Sequence, residues 1–365
     1  MGYDLNYDAV GKTFAIFPKV SGSLSIIGSC LILRDIGKKW HKVPLTTEVV
    51  AHITVANLFI AFWECFLSTW MVPKDSGAYM AKGNTATCNA QGFIAVTMYA
   101  ILALSYTILS VLYWIIVAQG WTEQKTQRRK IRFYFLGLPI IIAVALSTPP
   151  LFFEMYNFTG TYSCNFQEYP LNCDFDPATA CTRGGNARLL QTISCICSLV
   201  CTVIILVFMS LLVRSVRIQE SASDRYLSKG QTKRREMTRK TFWQAVRYFL
   251  VFFITNLPFY IYAVYDIIQA SPPISITFIY IIVWPMFGVF NSFVYFRPRY
   301  LSYSMKNPEK SWIHCLLTVL DINLVSWSSR SDASVPPSVS GLIDDEDLSS
   351  PLFSEEGSVN GGENL

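Results

Sequence analysis

Charge is scarce in this chain. Of its 365 residues only 15% are Asp, Glu, Lys or Arg, where a soluble domain carries nearer ~25%. Histidine is scarcer still, limited to His41, His52 and His314. None stands at a metal-ligand spacing with cysteine, so the sequence offers no metal or nucleophile set for an enzyme, and no cofactor is expected. The opening MGYDLNYDAV has no basic stretch leading into an apolar one, which argues against a cleavable signal peptide. It also lacks the Ser or Thr of a myristoylation signal. From Ser275 to Phe296 there is no lysine to carry a retinal Schiff base. The internal symmetry usual in transporters is missing too.

What is present is apolar sequence, 52% of residues, with mean hydropathy +0.34. A run of ~20 apolar residues crosses a ~30 Å hydrocarbon core as a helix. Seven such runs occur, at about 13–33, 45–71, 89–118, 132–152, 188–213, 242–266 and 275–297. Lys19, near the outer end of the first, is expected to snorkel to the headgroups. Basic residues cluster in alternate loops: Arg34 to Lys42, Lys125 to Lys130, and Arg217 to Lys240. The positive-inside rule then puts the N-terminus outside and the C-terminus in the cytoplasm. The expected fold is an all-α membrane protein, a seven-transmembrane helix bundle, multi-pass in the plasma membrane. Residues 1–12 form a short extracellular terminus and 13–300 the bundle. Residues 301–326 form a juxtamembrane segment with a surface helix, and 327–365 a disordered Ser-rich, acidic tail. Topology accounts for the basic clusters, and nothing points to nucleic acid.

Cys88, Cys164, Cys173 and Cys181 fall on the predicted outer side, an oxidising compartment. Four cysteines allow three pairings. Cys88 is expected to tie to the loop between spans four and five, with a second bridge inside that loop. Asn157-Phe158-Thr159 is a glycosylation sequon in the same loop. Cys315, in SWIHCLLTVL, is a candidate for palmitoylation. Ser349, Ser350 and Ser354 are candidate phosphorylation sites for a kinase and an arrestin-like partner.

Polar residues inside the spans face the bundle or a wet cavity. Glu64 lies seven residues after Asn57, on the same helix face, with Glu64 nearer the outside. Glu64, Gln91, Tyr99, Tyr262, Tyr265 and Asp266 make a candidate ligand-binding set. Two acids suit a cationic or hydroxyl-rich ligand better than an anion. Glu48 and His52 are four apart and expected to meet near the cytoplasm. Pro258 and Pro285 remove backbone bonds and permit kinks, and Asn256 and Asn291 can satisfy freed groups between helices.

Seven spans, an outer N-terminus and an outer cysteine opening the third span suggest a G-protein-coupled receptor. The last span, with Pro285, Gly288, Asn291, Ser292, Tyr295, Arg297 and Pro298, resembles the seventh helix of the cyclic-AMP-receptor-like receptors, a group related to fungal nutrient receptors. Cys88 with Gln91-Gly92-Phe93, LYW at Leu112–Trp114, GLP at Gly137–Pro139 and NLPFY at Asn256–Tyr260 look similar as well. The resemblance covers about residues 13–300 and implies sensing of a small extracellular ligand and activation of a heterotrimeric G protein. Asn57, Tyr113, Asn256, Pro258, Pro285, Asn291 and Tyr295 would be the switch. Arg128, Arg129, Lys130, Lys233, Arg234 and Arg235 would be the G-protein contacts. Rhodopsin-like receptors carry an arginine lock where this chain has Tyr113, and a sodium-binding aspartate where it has Asn57. These departures argue against that family. The alternative function is a seven-span transporter or channel, for which the long basic third loop and the tail have no role.

Overall fold

The computed structural model describes residues 9–38, 40, 43–119, 121, 129–171, 173, 179–223, 229–267 and 273–320. It defines the backbone but not the side chains of 129, 220–223, 229–241, 262–263 and 266–267. Among the described residues seven helices are long and apolar enough to cross a membrane: Ala9–Lys38 (α1), Leu45–Phe66 (α2), Thr85–Gln119 (α3), Lys130–Phe152 (α4), Ala187–Gln219 (α5), Phe242–Ile261 (α6) and Ile274–Lys306 (α7). The helix containing α5 continues to Ser223, and that containing α6 spans Lys229–Ile267. A short helix, Trp312–Val319 (α8), follows, with Ser311 capping its N-terminus.

Packing at one seam follows directly from residue size. The buried positions of α1 include Ser21, Gly22, Ser25, Gly28, Ser29, Ile32 and Ile36, three or four apart, which makes one helical face. Its middle is all small residues, so neighbouring backbones approach closely. A Cβ on Gly28 would stand 2.8 Å from the Gly288 carbonyl of α7, and one on Gly288 would meet Ser25 Oγ at 2.4 Å. The Gly288 amide donates to Ser25 Oγ at 2.8 Å. Gly22 gives α2 the same access, since a Cβ there would lie 2.7 Å from Cys65 Cβ.

Across one end of the bundle lies an antiparallel hairpin, Tyr156–Phe158 (β1) and Cys164–Phe166 (β2), pairing Tyr156 with Phe166. Disulfides Cys88–Cys164 and Cys173–Cys181 fasten it, one to the start of α3 and one within the loop. These are the two bridges expected. The Gln91-Gly92-Phe93 stretch is explained here. Gly92 leaves room for the Tyr156 ring, which would be 2.7 Å from a Cβ, and Phe93 packs on the Met155, Tyr156 and Phe166 cluster.

Three expectations are corrected. Glu48 meets not His52 but Arg132 of α4, in a two-pronged pair at 2.7 and 3.1 Å, because a planar guanidinium matches both carboxylate oxygens. Cys315 is fully buried, its thiol turned toward the Lys310 carbonyl, so α8 does not offer it to lipid. Lys19 does not snorkel: its ammonium donates to the carbonyls of Phe66 (3.5 Å) and Leu67 (3.2 Å) and stands 4.5 Å from the Trp70 ring centre. A helix C-terminus leaves carbonyls unpaired and carries partial negative charge, which draws a cation.

Candidate functional site

The last turns of α2 are wound as a π-helix, Ile60–Phe66. Such segments are frequent at functional sites. Their wider turn advances fewer degrees per residue, so Asn57 and Glu64 are rotated away from the shared face that seven α-helical residues would give. Glu64 points under the hairpin and is 1% exposed. The Tyr99 hydroxyl of α3 donates to its Oε2, and Ser163, at the hairpin tip, donates to its Oε1 at 3.3 Å. The Trp284 indole of α7 donates in turn to the Tyr99 oxygen at 3.0 Å. One carboxylate therefore joins the hairpin, α2, α3 and, through Tyr99, the residue before Pro285.

Gln91 holds this arrangement together. Its amide donates to the carbonyls of Trp63 (2.9 Å) and Ser68 (3.1 Å), and its oxygen accepts from the Cys164 amide at 2.9 Å. Beside it, Ser68 adopts a left-handed φ of 44° and donates to the Tyr162 carbonyl at 3.1 Å. A non-glycine residue held in that region marks strain sustained by its surroundings.

From Trp284 a run of rings descends through the bundle. Trp284 lies 5.4 Å from Phe259 and 6.4 Å from Phe287. Phe287 lies 5.7 Å from Tyr106, which lies 4.8 Å from Phe252. The Tyr106 hydroxyl then donates to Asn291 Oδ1 at 2.9 Å. At the end opposite the hairpin, Asp35 of α1 accepts from Tyr295 at 2.6 Å and from Arg299 at 2.6 Å.

The structure thus brings together Glu64, Gln91 and Tyr99 of the expected ligand set. Tyr265 is half-buried, with no bond joining it to Glu64 among the described residues. The side chains of Tyr262 and Asp266 lie outside the described ones. Of the expected switch, Asn291 links α7 to α3 and Tyr295 links α7 to α1. Asn256 instead serves its own helix, donating to the Phe252 carbonyl at 2.8 Å. Pro285 sits in a 3-10 turn, Trp284–Met286, while the helix is continuous through Pro258. Tyr113 is buried in α3. Arg128 and the side chains of Arg129, Lys233, Arg234 and Arg235 lie outside the described residues; Lys130 is exposed. Asn157 is 3% exposed, and its amide nitrogen donates to the carbonyls of Glu154 and Gln167 at 2.9 and 2.8 Å. A glycan on that nitrogen does not fit the folded hairpin. Ser163, Trp284, Lys19 and Asp35 are absent from the sequence-derived set, although Ser163 precedes a bridged cysteine and Trp284 precedes a proline.

A seven-helix membrane bundle with a disulfide-pinned hairpin over one end, and with polar links running from that hairpin into the seventh helix, has the architecture of a multi-pass membrane receptor. The sequence model described as 7 transmembrane receptor (rhodopsin family) matches residues 39–294, and the chain belongs to that family. The departures at Asn57 and Tyr113 therefore do not exclude it, which corrects the expectation drawn from them. No curated protein matches the chain.

Proposed function

We propose that this protein is a G-protein-coupled receptor of the plasma membrane that senses a small extracellular ligand at its hairpin end and activates a heterotrimeric G protein at the other. The observation that carries the reading is the chain Ser163, Glu64, Tyr99, Trp284, which connects the hairpin to the 3-10 turn at Pro285. A ligand that moves the hairpin changes the bonds of a buried carboxylate, and that change reaches α7 through Tyr99. The basic loops support an outer N-terminus and, with it, an outer hairpin. A likeness to the cyclic-AMP-receptor-like receptors is the finer reading, and the Gln91-Gly92-Phe93 and NLPFY stretches support it. The tail beyond residue 327, outside the described residues, would serve a kinase and an arrestin-like partner.

The test is nucleotide exchange on co-expressed G proteins, screened with candidate agonists. Once an agonist is found, Glu64→Gln is expected to lower its potency about tenfold or more, since a hydrogen bond to a charged group contributes ~1.5–3 kcal/mol. Surface delivery should be retained. An unchanged dose–response curve removes Glu64 from the relay. Solute flux in liposomes without G protein overturns the receptor reading.

A further inference from the structure

At mid-membrane a small cavity lies between α1, α2, α3 and α7, with Ser25, Asn57, Ala61, Leu102, Pro285 and Phe287 among its walls. It is the position at which rhodopsin-like receptors bind sodium through an aspartate. The residues present do not fit that ion. The carboxylates on the spanning helices are Asp35, Glu48 and Glu64, and all three are engaged elsewhere: by Tyr295 and Arg299, by Arg132, and by Tyr99 and Ser163. A cation in the cavity would therefore have no countercharge, and an unpaired charge in a low-dielectric interior is strongly disfavoured. The polar group that does line the cavity presents a donor. Asn57 is 3% exposed, and its amide nitrogen has no partner among the described residues. One helix away, Asn291 Nδ2 is also buried and without a partner among the described residues, its oxygen taken by Tyr106. Ser25 Oγ already accepts from the Gly288 amide. The room is about 10 Å³, enough for roughly one water molecule and too little for a cation with a partial hydration shell.

We propose that this cavity is a neutral site for a single small hydrogen-bond acceptor, a water molecule held by Asn57 and Ser25, and that this receptor is insensitive to sodium. A water there accepts from Asn57 Nδ2 and bonds to the Ser25 hydroxyl. It fills the wall beside Pro285 with a partner that can be exchanged when the turn at Trp284–Met286 rearranges. The inference rests on the fold and these side chains alone, and stands whether or not the ligand relay through Glu64 does.

The experiment is thermal unfolding of the purified full-length receptor in sodium chloride against choline chloride at equal ionic strength, which needs no ligand. The expected result is the same midpoint in both salts. The variant Asn57→Asp, which supplies the missing carboxylate, is expected to gain a saturable, sodium-specific rise in midpoint. A sodium-specific rise in the unmodified protein overturns the proposal. A folded Asn57→Asp protein that stays blind to sodium overturns the assignment of residue 57 as the determinant. If Asn57→Asp does not fold, the unmodified protein decides the matter alone.

Discussion

Asn157 shows how one residue can carry two incompatible readings. Three letters of sequence make it a sequon, but the register of the hairpin makes it a bracket. Its neighbour Phe158 pairs with the bridged Cys164, and its own amide ties together the carbonyls of Glu154 and Gln167. We expect glycosidase treatment to leave the electrophoretic mobility of the protein unchanged. Asn157→Ala should destabilise the folded receptor by ~1–3 kcal/mol, the usual cost of stranding buried polar groups, read as a lower unfolding midpoint. A mobility shift that Asn157→Gln abolishes would show a glycan instead. Sequence exposes residue type and neighbours in the chain, so it gave Glu64 and Tyr99 as polar residues that a membrane interior must account for. It could not show Ser163, because a serine in a loop has no periodicity and acquires its role only when the Cys88–Cys164 bridge brings it over α2. Lys19 was misread for a related reason: its partners are backbone carbonyls freed at the end of a π segment, which no side-chain pattern announces.

At the scale of elements, the seam between α1 and α7 is set by glycine rather than by hydrophobic mass. The spacing of small residues along α1 is visible in the sequence; their partner is not, since nothing local says that Gly28 will meet Gly288. The span limits were legible because chain length and hydropathy dictate them, whereas the π turn at Ile60–Phe66 depends on packing and was not. The contact at the seam leads to a paired expectation. Gly288→Val places branched carbon where Ser25 and Ser29 already stand at 2.4 and 2.5 Å from a bare Cβ. The obstacles include backbone, so relief requires the helices to separate and the Gly288–Ser25 bond to break. Surface delivery should fall sharply, and any purified protein should unfold at a lower temperature. Gly37 is the control, because a Cβ there meets nothing within 4 Å. Gly37→Ala should be neutral or slightly stabilising, by up to ~1 kcal/mol from helix propensity. Equal behaviour of the two variants would mean that close approach does not hold α7 in place.

For the molecule as a whole, the proposed function requires a small change at the hairpin to become a large one at the other end. The helix containing α6 runs for 39 residues, Lys229–Ile267, about 58 Å at ~1.5 Å per residue, against a hydrocarbon core of ~30 Å. Its membrane part begins at Phe242, so the basic stretch at Lys233, Arg234 and Arg235 lies on the part of the helix beyond the span, where the arm of a lever would be. Pro258 lacks the amide that would close its own turn and offers a place to pivot. From Pro258 to Lys233 is 25 residues, about 38 Å at ~1.5 Å each, so a tilt of ~10° displaces the arm by ~6–7 Å. On the proposed orientation that opens a cleft in the cytoplasm between α3, α5 and α6, of the kind that receives a partner helix. The positive rim would steer an acidic partner and speed its association. Reversing Lys233, Arg234 and Arg235 to glutamate should therefore slow nucleotide exchange. Ligand affinity should shift by no more than the coupling between the two ends, typically ~1–3 kcal/mol. Because these charges also help set topology, accessibility of the N-terminus at the cell surface has to be checked in the same cells. A correctly oriented variant with full exchange activity would show that the arm's charge serves orientation alone and that the partner is recognised elsewhere on the bundle.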